Sequence, residues 1–210
     1  MRHLAVVLMA MTLVVSGCAM LNRSEMTVAL PEVESRALIG KEVYVGTIVD
    51  RRVFEDRPRN ASTPSLDPKQ ENTPEIRVRA IGRLRSGYGN AIGDVVLKEG
   101  TVETLTADAI RQTLTGLGYT VIMDKDQITE NTIVIEGTVD KFWSWVVMMT
   151  GFRAGIKTSL DVRSPDRNRI VETEIITVTC PGYIISPVNT VRCVEQALQE
   201  YVDELKKDFE

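Results

Sequence analysis

Residues 140–152, DKFWSWVVMMTGF, hold both tryptophans of the chain, two of its four phenylalanines and two adjacent methionines. The aromatic and β-branched content reads as a β-strand, and alternate side chains of a strand point to opposite faces. Phe142, Ser144, Val146 and Met148 then share one face, and Trp143, Trp145, Val147 and Met149 the other. Both faces are apolar, so both need cover. If helices cover one, the other needs a loop, a second core around a bent strand, or a partner. Trp143, Trp145 and Met149 are therefore a candidate binding surface, because tryptophan is a frequent hot spot and methionine adapts to irregular partners.

The neighbouring segments suit a β-meander. Residues 131–152 and 155–162 read as two long strands, and the turn SPDRNR at 164–169 leads into a third at 170–179. Upstream, KEVYVGTIVD at 41–50 alternates as a first strand, and residues 50–74, rich in Pro, Asn, Ser and charge, read as a long loop. IRVRAIGRL at 76–84 reads as a strand with Arg77 and Arg79 on a solvated face. A glycine-rich bend, a short strand at 95–97, a helix at 101–116 and a strand at 119–123 follow. Gly116 and Gly118 are candidate left-handed stops for that helix. After Ser186 or Asn189 as cap, Val191, Val194, Leu198, Tyr201 and Leu205 form one stripe of a final helix, with Lys206 and Lys207 in its last turn. The expected class is α+β: a two-layer sandwich with a mostly antiparallel sheet and two amphipathic helices on one face.

The N-terminus points to a compartment. Leu4–Val15 is apolar except for Thr12 and too short to span a bilayer, and it closes on Val15-Ser16-Gly17-Cys18. This resembles a bacterial lipobox: residues 1–17 form a signal peptide, small side chains admit a peptidase, and the Cys18 thiol takes a diacylglyceryl group. Acyl chains such as palmitate contribute ~0.8 kcal/mol per buried CH₂, so several make a lasting anchor. Ala19, where the lipoproteins it resembles often carry Asp for inner-membrane retention, implies the outer membrane. Residues 18–40 then read as the lipidated cysteine and a flexible tether, and 41–210 as one periplasmic domain.

Cleavage leaves 210 − 17 = 193 residues with 24 basic and 29 acidic side chains, and it removes His3, the only histidine. An acidic balance argues against a nucleic-acid partner. Without histidine, Ser-His-Asp and Cys-His mechanisms and the common zinc sites are unavailable. Cys180 and Cys193 are too few for a structural zinc site, and in an oxidising compartment they most simply form a disulfide. The glycines of GRLRSGYGNAIG at 82–93 do not fit a phosphate loop, since Tyr88 stands where the lysine belongs. Arginines cluster at 51–59 and again at 77–85. Side by side, the two groups make a basic patch, with Arg77 and Arg79 candidates for meeting lipid phosphates or an acidic protein; a solvated strand face is the plainer alternative. No metal or cofactor is expected.

VGTIVDRR, the run from IGRLRSGYGNAIGDVVLKEG through TADAIRQTLTGLGYTV, and the terminal VRCVEQALQEYVDELKKD resemble, with the lipobox, the YajG-type family of uncharacterised outer-membrane lipoproteins. The resemblance implies a lipoprotein of the envelope and no established activity. The expectation is a non-enzymatic binding or assembly module, anchored on the periplasmic face of the outer membrane through Cys18, with an envelope protein or a second copy as partner. The alternative is a lipid or glycolipid carrier using a groove beside the aromatic strand.

Overall fold

The longest stretch of regular pairing runs along β6, Ile133–Val147, to which every branch of the sheet connects. The computed structural model describes residues 23–86, 90–147, 151–181 and 184–210. One edge of β6 pairs antiparallel with β7, Gly151–Arg163, which pairs antiparallel with β8, Arg169–Cys180. The other edge is divided. Its first half pairs parallel with β2, Glu42–Asp50, and Ser144 and Trp145 pair parallel with β3, Ala80–Arg85. The sheet therefore forks. β5, Thr120–Ile122, extends the β2 branch; β4, Ala91–Leu97, and β1, Ser24–Met26, extend the β3 branch.

The class is α+β, as expected, but the sheet is mixed rather than mostly antiparallel. Four pairings are parallel: β1 with β4, β2 with β5, and β6 with both β2 and β3. Alternation in sequence reports which face a residue takes and is silent on strand direction, so only hairpin turns could reveal pairing sense. Residues 140–152 are likewise not one strand: Val147 pairs with Gly151, so Phe152 already belongs to β7.

Bulges decide which residues meet the helices. On β6, Ile135 and Val139 face the main core, the register shifts between Val139 and Lys141, and from there Phe142 and Val146 face that core. The alternation has changed phase around Asp140. β2 does the same between Val45 and Ile48, and β8 between Ile175 and Val178. A bulge inserts one residue and bends the strand, which turns the side chains beyond it to the other face.

Among the described residues, three α-helices accompany the sheet. α1, Pro74–Arg79, replaces the first half of the strand expected over residues 76–84. Pro74 occupies its first turn, where a missing N–H costs nothing, and the Thr73 carbonyl accepts from the Ile76 and Arg77 amides at 3.1 Å each. It buries no residue. α2, Val102–Gly116, starts at a reciprocal cap in which the Thr101 hydroxyl accepts from the Thr104 amide and the Thr104 hydroxyl accepts from the Thr101 amide. α3, Pro187–Phe209, is capped by Ser186, which accepts from the Asn189 amide, and carries Lys206 and Lys207 in its last turn. Both long helices cover the inner face, with Ile110, Leu114, Leu198, Tyr201 and Leu205 buried against β2, β6, β7 and β8. A Cys180–Cys193 disulfide, Cα atoms 5.5 Å apart, joins the end of β8 to α3.

The stretch expected as a tether is part of the domain from Arg23 onward. Ser24–Met26 forms β1, and Val28 is buried in the main core. The chain then crosses the C-terminal end of α2, where the Gly116 carbonyl accepts from the Arg36 amide (2.9 Å) and the Gly118 carbonyl from the Ile39 amide (3.0 Å). Gly118 does adopt a left-handed φ of +89°, whereas Gly116 stays helical; a Cβ there would lie 2.1 Å from Val33 Cγ1. Gly116 is thus required for close passage of the chain rather than as a stop. Three residues of strand inside a weakly patterned segment leave too short an alternation to recognise.

Candidate functional site

The outer face of the sheet brings together the aromatic strand and both arginine groups. Trp143 (1% exposed) and Trp145 (6%) are buried, so of the covers this face required it is the loop, and not an exposed binding surface, that the structure shows. The loop over residues 51–73 covers them. Phe54 meets Trp143 edge-on at 5.9 Å, the Trp143 indole N–H donates to the Ala61 carbonyl at 3.3 Å, and Leu66, Ala80 and Val96 complete a second, smaller core. Aromatic pairs of this geometry add ~0.5–1.5 kcal/mol beyond area burial. Lys141 closes the exposed margin, its ammonium 5.0 Å from the Trp145 ring centroid, and partial burial lowers its pKa against the pull of Glu174. Met149 and Tyr88 lie outside the described residues, as does Cys18.

The arginines take distinct places. Arg52 fills the fork. Its guanidinium donates to the carbonyls of Ala80 (2.6 Å), Phe142 (2.9 Å) and Arg77 (2.9 Å), and pairs in a bidentate manner with Asp50 at 2.8 and 2.7 Å. Where β2 leaves β6 and β3 has yet to join it, backbone carbonyls lack strand partners, and a planar five-donor group can serve several at once. Arg77 and Arg79 do not form a strand face, because both belong to α1. Arg77 is exposed, and Arg79 donates to the Leu97 carbonyl and pairs with Glu25.

Arg83 and Arg85 project outward beside Trp145 and reach the loop. Arg83, 5% exposed, donates to the Leu66 carbonyl at 2.8 Å and lies 3.6 Å from Asp94 and 3.8 Å from Asp67. Asp94 is fully buried and accepts from the Asp67 amide at 3.0 Å and from Arg23 at 3.4 Å. Burial holds the Asp94 carboxyl above its ordinary pKa, while the Asp67 amide and then Arg83 and Arg23 pull it back. Arg85 donates to the Ser65 hydroxyl at 3.2 Å; burial lowers its pKa, and the neighbouring charge of Arg83 lowers it further.

These residues border an open cleft of about 710 Å³, walled by residues 56–58 and 67–70 of the loop and by Arg83, Arg85, Asn90 and Ala91 of the sheet. Its charged lining comprises Arg57, Lys69, Arg83 and Arg85 against Asp56 and Asp67. The sequence already grouped Arg57, Arg83 and Arg85; Lys69 and the organising Asp94 carried no such signal. Fixed cations in a polar cleft can hold an anion. Among the described residues no group of three His, Cys, Asp or Glu side chains is placed to hold a metal ion, and no helix is long and apolar enough to cross a membrane.

No protein-family model matches the chain, and no curated protein matches it in sequence. Solved structures align with the chain over most of its length. An uncharacterised protein aligns with a TM-score of 0.50 at 8% identity over 90% of this chain and 98% of that one. A Xanthomonas campestris protein of the DUF330 family aligns at 0.47 and 14% identity over 88% and 90%. PelC of Paraburkholderia phytofirmans, crystallised as a dodecamer, aligns at 0.36 and 14% identity over 82% and 96%. At 8% identity the likeness to the first is one of fold alone.

Proposed function

We propose that the protein is a non-enzymatic lipoprotein of the bacterial envelope, anchored through Cys18 on the periplasmic face of the outer membrane and acting as a binding or assembly module. The observation that carries this reading is the Cys180–Cys193 disulfide at the junction of β8 and α3, in a chain that begins with a lipobox-like segment. A disulfide built into the core of a fold suits an exported protein. The resemblance to the YajG-type family supports the same compartment. Arg23, already hydrogen-bonded into the domain, follows Cys18 by only five residues, so the anchor would hold the domain close to the bilayer rather than on a long leash.

Against the carrier alternative, Trp143 and Trp145, whose exposure motivated it, are buried against Phe54, Ala61 and Leu66. Fractionation of cells producing wild type and Cys18→Ser tests the anchor. Wild type should sediment with outer membranes and carry acyl chains by mass spectrometry of its N-terminal peptide, and Cys18→Ser should not. An unmodified wild-type chain, or equal membrane association of both, would overturn the reading.

A further inference from the structure

We propose that the cleft between the 56–70 loop and the β3–β4 hairpin binds phosphate groups of anionic lipid headgroups in the bilayer to which the chain is attached. The cleft is lined by four cations, Arg57, Lys69, Arg83 and Arg85, against two carboxylates, Asp56 and Asp67, and the Asp94 carboxylate behind Arg83 is itself met by Arg23, so the positive excess remains on a chain whose formal net charge is −4. A local excess of positive charge on an acidic protein needs a reason, since a solvated face would disperse it. The two inner arginines are also held in place. Arg83 is fixed by the Leu66 carbonyl and by Asp94 behind it, and Arg85 is bonded to Ser65, so their guanidinium groups are oriented before any ligand arrives. Guanidinium pairs match phosphate oxygens in shape and charge.

The position of the cleft chooses the source of the phosphate. Arg23 donates to the Glu71 carbonyl (2.9 Å), to Asn72 (2.8 Å) and to Asp94, and the Asn72 amide donates to the Asp67 carbonyl (2.9 Å). The back of the cleft is therefore tied directly to Arg23. Arg23 lies five positions after Cys18, a span of at most ~18 Å at ~3.5 Å per residue. A lipid on Cys18 places this cleft at the headgroup layer, where basic residues gain from anionic lipid. The choice of lipid over a soluble phosphate rests on Cys18 being the anchor.

The test uses the mature chain with Cys18→Ser, which cannot be lipidated, in sedimentation with vesicles. Phosphatidylcholine vesicles containing phosphatidylglycerol should bind it, and pure phosphatidylcholine should not. Arg57→Gln and Lys69→Gln, both at exposed positions, should each weaken binding ~5-fold, while Lys125→Gln outside the cleft leaves it unchanged. Inorganic phosphate should compete. Binding unaffected by both cleft variants, or none to anionic vesicles, overturns the proposal. Protection of the fold by inorganic phosphate without vesicle binding overturns the lipid assignment in favour of a soluble anion. If wild type carries no lipid while Cys18→Ser still binds anionic vesicles through the cleft, the anchor fails and the cleft stands.

Discussion

The two faces of the sheet solve the same problem by different means. The inner face is covered by α2 and α3 in one continuous apolar core, from Val43 and Ile135 through Phe142 and Ile156 to Val178. Among the described residues, the outer face is covered at one end, by irregular chain whose own backbone is pinned through Arg83, Asp94 and the Trp143 indole. At its other end it is open, carrying ion pairs such as Lys157 with Glu174 and Arg163 with Glu136. Helices satisfy their own backbone groups and need only an apolar stripe. A loop placed over a sheet has to find partners for its amides and carbonyls in the sheet's side chains, which is why the covered outer end is rich in buried polar groups.

The largest expected contrast comes from adjacent residues of β6. Phe142→Ala should cost ~3–5 kcal/mol in urea unfolding, because the helices above it cannot collapse into the gap. Trp143→Ala removes a larger side chain, yet the loop can settle onto the vacancy, so its cost should lie near the lower end, ~3 kcal/mol. It should also open the loop to limited proteolysis under native conditions, which Phe142→Ala should not. Equal protease resistance in the two variants would mean the loop holds without the tryptophan.

A smaller effect is expected at the buried carboxylate. Since the folded state raises the Asp94 pKa, the folded chain binds a proton that the unfolded chain has released as pH rises past the ordinary value of about 4. Stability from this group is thus highest below that pH and is lost as pH climbs through the raised value. Asp94→Asn removes that slope, so the wild-type Tm minus the variant Tm should decline with rising pH across the window. A constant difference would show that the carboxylate is as well solvated folded as unfolded. The smallest effect belongs to the open end of the outer face: Lys157→Ala should leave Tm within error, because its pair with Glu174 is exposed.

Much of the fold was legible because it obeys local rules. Thr101 and Ser186 mark helix starts, the spacing of Leu198, Tyr201 and Leu205 marks a buried stripe, and the division of residues 142–147 between two faces follows from strand alternation alone. What escaped reading depends on distant partners. Asp140 carries no signature of a bulge, and Ile76-Arg77-Val78-Arg79 alternates like a strand while folding as a helix after Pro74. The arginine cluster was visible as composition, but its separation into a fork-filling Arg52 and a cleft-lining Arg83 and Arg85 depends on carbonyls that no sequence window contains. For the same reason the exposure of the tryptophans was undecidable from periodicity. Their cover comes from a segment about eighty residues away in sequence, as the Trp143–Ala61 hydrogen bond shows.

The path of residues 23–39 also has a mechanical meaning. Tension applied along the chain from its N-terminal side reaches the Arg23 contacts first, then the three residue pairs of β1 with β4, then Val28, and last the crossing at Gly116 and Gly118. A chain peeled from this end meets these contacts one after another, and the work is absorbed in small steps. The disulfide and the paired β6, β7 and β8 lie off that line. A pull on the N-terminal side would peel the domain's margin and leave its centre at rest.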